Sequence, residues 1–234
     1  MWNGLKSVNF PACTTINDYA FCYCYYLSTI SFPACTTIGS SAFASCTGLI
    51  SVNFPVCTSI AQSAFYSCRS LFTVTFPLCT EIPEDCFTFC SKLEQVNFPK
   101  CLSIGDGAFR ACASLSEIHF SLCTTLNSNV FVNCTNLKIV DIPKCTLIST
   151  SCFYSCTNLS TVSFPLCSLI GTYAFAYCTA LTTLSFPACT VISNHAFDHC
   201  SNLRSLYLMN SSYISLSQSG VFSYTPMVNS TYLG

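Results

Sequence analysis

The sequence predicts a repeat solenoid: a right-handed coil with a parallel β-sheet on one face and short helical turns and loops on the other. Three observations predict it. Ten leucines recur at a fixed spacing of 22 residues: Leu5, Leu27, Leu49, Leu71, Leu93, Leu115, Leu137, Leu159, Leu181 and Leu203. The other apolar columns keep that register. No insertion interrupts nine successive units. A strict period of this length means stacked coils, each too small to bury its own apolar face and each completed by its neighbours.

The unit reads L-x-x-V-x-F-P-x-C-x-x-I-x-x-x-A-F-x-x-C-x-x, and each stretch has a physical reading. Leu5 to Phe10 alternates and is rich in β-branched and aromatic residues, so it reads as a short strand. Pro11 and its equivalents follow at once, and proline ends a strand because it cannot donate to the ladder. An extended stretch then turns Cys13 and Ile16 inward. Residues 17–18 are a turn. Asp18, Ser40, Asp106, Ser128, Thr150, Thr172 and Asn194 suit the N-cap of a single helical turn carrying the Ala20–Phe21 pair and Cys24. The invariant second phenylalanine column, from Phe21 and Phe43 through Phe109 to Phe197, belongs to the core.

Composition bounds the function. Charged residues are 7% of 234, and the formal net charge is -1. No basic patch exists to attract nucleic acid. No stretch approaches 18 consecutive apolar residues, so no membrane-spanning segment is expected. The solenoid is assigned to residues 1–209, about ten repeats, and residues 210–234 to a degenerate last repeat or cap. The chain begins part-way through a repeat, with Trp2 in a cysteine column. Residues 1–10 lack the charged and apolar regions of a signal peptide. A removed upstream segment is one explanation, and a natural start without a cap is the other. An open first coil would permit end-to-end association.

The repeat resembles the BspA-type leucine-rich repeats of bacterial and some protist surface proteins. The resemblance is carried by residues 5–24, 27–46, 49–68 and onward to 181–200. Phe replaces the third leucine, Cys follows F-P-x, and Ser121 stands where proline is expected. The resemblance implies a curved leucine-rich-repeat solenoid, on the cell surface or secreted, used for adhesion or protein binding. It carries no catalytic residues and no cofactor.

Eighteen of the 21 cysteines form two columns, Cys13 to Cys189 and Cys24 to Cys200. Cys86 and Cys152 take the alanine column, and Cys22 stands apart. In-register parallel neighbours are about 4.8 Å apart, wider than a disulfide wants. Buried free thiols are therefore expected, with some disulfides or a metal as the competing readings.

Candidate chemistry is sparse. His195 and His199, with Asp198 between them, resemble a fragment of a zinc site, but H-E-x-x-H is missing and a solvated surface is expected. Glu81, Glu84 and Asp85 read as a solvated acidic turn. No nucleophile, phosphate-loop or dinucleotide motif occurs. No enzyme, metal or cofactor is expected.

Two surfaces could bind a partner. The outer strand face is a row of Ser, Thr and Asn, broken at its centre by Gln95, Glu117, His119, Ile139 and Asp141. These five are the candidate partner-binding residues. Tyr23, Tyr25 and Tyr26 are the alternative. The expected function is a non-catalytic binding or adhesion module. A structural spacer or fibre segment, and an ice- or polysaccharide-surface binder using the hydroxyl rows, remain open.

Overall fold

In the computed structural model, which describes residues 4–209, 215–216, 220–226 and 229–232, the chain winds as a parallel β-solenoid. Trp2 and the remaining residues of 210–234 lie outside the described set. Coils are numbered from their leucine, coil one starting at Leu5 and coil ten at Leu203. Nine uninterrupted 22-residue turns carry Ser7 to its equivalent Ser205.

Each coil contributes two strands. The first is the expected one, Ser7–Asn9 in coil one, and its successors stack in register: Val8 faces Ile30, Val52 faces Val74, and Ile118 faces Val140. The second is a two-residue strand, Thr15–Ile16 in coil one, which also stacks in parallel register. The sequence shows this second strand only as an extended stretch. Between the two strands, the Phe10 carbonyl accepts the Cys13 N–H at 3.2 Å. Pro11 therefore sits at the second position of a β-turn, where its fixed φ is already suitable.

The third side of the coil differs from the expected helical turn. No helix occurs among the described residues. Two consecutive turns form instead, closed by Ala20 N–H to Asn17 at 3.3 Å and Cys24 N–H to Phe21 at 3.1 Å. Their third residues, Tyr19 and Tyr23, have φ of 55° and 61°, the type II pattern. Every coil repeats this, so two columns of left-handed residues run along the turn face. The intervening amides point to the next coil: Tyr19 to Ser40, Phe21 to Ala42, Tyr23 to Ala44. These bonds explain why a helix loses. They satisfy every second N–H across the stack, which an intrahelical ladder would forbid. The expected N-cap Asp18 also acts between coils, accepting the Ser40 N–H at 2.7 Å.

The core lies inside this triangle. The Leu, Phe, Cys, Ile, Ala and second Phe columns are buried from coil two onward, and the Val column is buried except at Ile30, Val96 and Val162. Rings of the second phenylalanine column stack face to face, Phe109 lying 5.5 Å from Phe87 and 5.6 Å from Phe131. All 21 cysteines are free. In one column, Cys79 apart, the thiol donates to the carbonyl two residues on, as Cys145 does to Leu147 at 3.1 Å. In the other it reaches back one coil, as Cys134 does to Phe109. The thiols thus fill space and find acceptors, which an alanine column would not.

The first ladder is not continuous. It is open between coils two and three, five and six, and eight and nine. The inward residue just before each opening, Ile30, Val96 or Val162, is only partly buried. The second ladder opens once, between coils three and four. There Pro83 occupies the position from which Gly39 and Gly105 donate to the preceding coil. Without an N–H it cannot donate to Ile60. Beyond coil nine both ladders continue: Ser215–Leu216 pairs with Val191–Ile192, and Asn229–Tyr232 with Ser205–Leu208. Phe222, three residues late in the sequence, still stacks on Phe197 at 5.6 Å.

Candidate binding surfaces

The strand face projects its first and third residues outward because successive side chains alternate across a sheet. Pairing places Glu117 beside Ile139 and His119 beside Asp141. The imidazole lies between two carboxylates. Its Nε2 is 3.6 Å from Glu117 Oε2 and its Nδ1 is 3.8 Å from Asp141 Oδ2. These side chains are 58%, 59% and 46% exposed, so the contacts add little to stability and the groups stay available to a partner.

Four of the five candidate residues therefore form one patch on two paired strands. Gln95 does not pair with them. It lies on coil five, across the opening in the ladder. Lys138 donates to the Ser116 carbonyl at 2.8 Å in the paired region. Among the described residues, the equivalent bond from Ser116 to Glu94 does not form. The opening is a groove of about 240 Å³ lined by Glu94, Gln95, Val96, Glu117, His119 and Phe120. Glu94 is a residue sequence reasoning missed. Its side of the groove becomes visible only once the ladder is known to part there.

The alternative site is also exposed. Tyr23, Tyr25 and Tyr26 are all open to solvent, as is Tyr19. The Tyr23 and Tyr25 rings are 6.1 Å apart and tilted by 50°. Tyr23 belongs to the left-handed column, while Tyr25 and Tyr26 follow in the connection to coil two.

The His195–Asp198–His199 segment departs from the solvated surface expected of it. The two histidines occupy the left-handed columns, with φ of 56° at both, and do not share a helix face. Each ring stacks on the tyrosine one coil below, His195 on Tyr173 at 4.9 Å and His199 on Tyr177 at 4.4 Å. Asp198 is buried, and its carboxylate lies 2.8 Å from His199 Nδ1 and 3.7 Å from His195 Nδ1. In the acidic turn, Asp85 accepts the Thr88 hydroxyl at 2.8 Å. A Cβ added at Gly107 would lie 2.7 Å from the Asp85 carboxylate. Among the described residues, no group of three His, Cys, Asp or Glu is arranged to hold a metal ion.

Most of the buried thiols are held in the protonated form. Burial pushes Cys46 and Cys134 up to about 12, and Cys145 and Cys189 up to about 11. The thiolate is the reactive form, so these groups stay inert at neutral pH.

The sequence profile of the BspA type leucine rich repeat region matches residues 14–138 and 124–233. The chain belongs to the BspA-type leucine-rich repeat family. Solved structures share the leucine-rich-repeat fold. A leucine rich cell surface protein from Faecalibacterium prausnitzii is 22% identical with a TM-score of 0.57, over 98% of this chain and 79% of that one. A leucine-rich repeat protein from Eubacterium ventriosum is 18% identical with a TM-score of 0.59, over 97% and 84%. One from Bacteroides ovatus is 25% identical with a TM-score of 0.50, over 88% and 67%. No curated protein sequence matches the chain. Among the described residues, no helix is long and apolar enough to cross a membrane.

Proposed function

We propose that this solenoid is a non-catalytic binding module of a surface protein, and that it recognises a protein partner through the centre of its strand face. The observation that carries the reading is the exposed Glu117–His119–Asp141 constellation, set beside Ile139 and the groove at Gln95. Elsewhere, Tyr207 apart, the same face presents Ser, Thr and Asn, which discriminate poorly between partners. Here carboxylates, an imidazole, an amide and an exposed aliphatic group stand together. Specificity needs such distinct groups on an extended surface. The family and the cell-surface protein among the structural neighbours support the surface location. The spacer reading draws on the uniformity of the remaining coils and assigns no special role to this patch.

The test compares wild type with a Glu117→Ser, His119→Ser, Ile139→Thr, Asp141→Ser variant, and with Thr73→Ser, Thr183→Ser as the control. Each is immobilised and exposed to surface proteins from the host habitat. The expected result is a retained protein whose affinity falls at least about tenfold for the quadruple variant only, since each lost good contact approaches a factor of ten. Equal retention by a folded quadruple variant removes the patch from the site and favours the spacer.

A further inference from the structure

The occupants of the two left-handed columns change along the turn face, and the change leaves a slot. In coils eight and nine both columns hold rings. Tyr173 and His195 lie 4.9 Å apart within 7° of parallel, and Tyr177 and His199 lie 4.4 Å apart within 13°. Tyr224 follows His199 at 4.5 Å. One coil of separation is therefore the right distance for one ring to cover the next, within the favourable range for aromatic pairs.

Coil one begins the same pattern with Tyr19 and Tyr23, but coil two does not continue it. The next residues in the columns are Ser41 and Ser45, also left-handed, with φ of 52° and 59°. Above the two tyrosines the ring position is occupied only by small hydroxyl side chains. A groove of about 250 Å³ remains, walled by Tyr19 and Tyr23 on one side and Tyr66 on the other, with Ser41, Ser45 and Ser63 along it. No charged residue lines it.

We propose that this groove is a second binding site, separate from the strand-face patch, and that it takes an aromatic side chain of a protein partner. The partner's ring lies over Tyr23 or Tyr19 as His199 lies over Tyr177 and His195 over Tyr173. The chain's own coils supply the template for the bound geometry. A planar ring fits a gap one coil deep, and the serine hydroxyls can bond the polar edge of a phenol, indole or imidazole. The walls need no large rearrangement, because their backbone is held by amide bonds to the next coil, Tyr19 to Ser40 and Tyr23 to Ala44. Rigid aromatic walls lower the entropy cost of binding.

The experiment uses the full chain and saturation-transfer NMR with four probes: N-acetyltyrosinamide, N-acetyltryptophanamide, N-acetylleucinamide and cellobiose. Transfer is expected to the ring protons of the two aromatic amides and not to the other probes. The Ser41→His, Ser45→His variant should fill the slot with the chain's own rings. It should weaken aromatic binding about 2- to 12-fold, the range expected for one aromatic pair. Tyr19→Ser, Tyr23→Ser changes only exposed side chains, so it keeps the core, and it should weaken binding likewise. Unchanged transfer in both variants overturns the proposal. So does binding of cellobiose in place of the aromatic amides, which would make the groove a saccharide site.

Discussion

The Cys134 thiol donates to the Phe109 carbonyl one coil below, at 3.1 Å. The same carbonyl accepts the Cys112 N–H, also at 3.1 Å, so both of its lone pairs are used inside the core. The relationship repeats from Cys46, which reaches Phe21, to Cys200, which reaches Phe175. Cysteine therefore has a specific task in this column. Cys134→Ala is expected to cost about 1–3 kcal/mol, from a small cavity and a carbonyl left with one partner. Cys24→Ala should cost less, because among the described residues its thiol makes no such bond. Urea unfolding of both variants measures the difference, and equal losses would reduce the thiols to space-fillers.

Buried thiols should also make the fold sensitive to alkali. A thiol titrates near 9 when exposed, but Cys134 and Cys167 are pushed up to about 12 by burial. Their folded values are raised, so the stability they contribute is fully present below pH 9. Above that pH the unfolded chain gives up protons that the folded chain retains, and stability falls until about pH 12. Melting temperature should be level from pH 6 to 8 and drop steadily above 9. Thiol titration should agree, finding few reactive groups in the native protein and about 21 after denaturation.

The inside and outside of the coil can be tested with one pair of substitutions. Phe109 is fully buried between two stacked rings, so Phe109→Ala is expected to cost about 3–5 kcal/mol. Asn53 lies on the exposed strand face, and Asn53→Ala should stay within about 0.5 kcal/mol. Denaturant midpoints for the two variants would have to coincide for the assignment of faces to be wrong.

The columns were legible because burial depends on period, and a 22-residue period leaves no ambiguity over which residues share an environment. Leu, Val, Phe, Ile and Cys fell inside as expected. The candidate patch was legible for a similar reason, since Glu117, His119, Ile139 and Asp141 break a regular row. The turn face was not. Tyr, Ser and Phe rarely adopt positive φ, so nothing in Tyr23, Ser45 or Phe89 announces a left-handed backbone. That geometry is imposed by hydrogen bonds between coils, which are tertiary. The parting beside Glu94 and the burial of Asp198 are likewise consequences of the stack and not of local sequence.

Two nearby alanines should respond to glycine with opposite signs. Ala111 occupies a left-handed position, with φ of 57°, where its Cβ crowds the backbone at a cost of about 1–2 kcal/mol. Ala111→Gly removes that strain and costs about 0.5–1 kcal/mol in unfolded-chain entropy. The net expectation is a gain of about 0.5–1 kcal/mol. Ala108, three residues earlier, is fully buried in the core and has no such φ. Ala108→Gly loses buried apolar surface and bears the same entropy cost, so it should destabilise by about 1 kcal/mol or more. Ala111→Val should be worse than either, because a β-branched side chain is a true outlier at positive φ. Urea unfolding of the three variants reads the signs directly. Destabilisation by Ala111→Gly as large as that by Ala108→Gly would mean that the second turn of the coil does not hold Ala111 in the left-handed region.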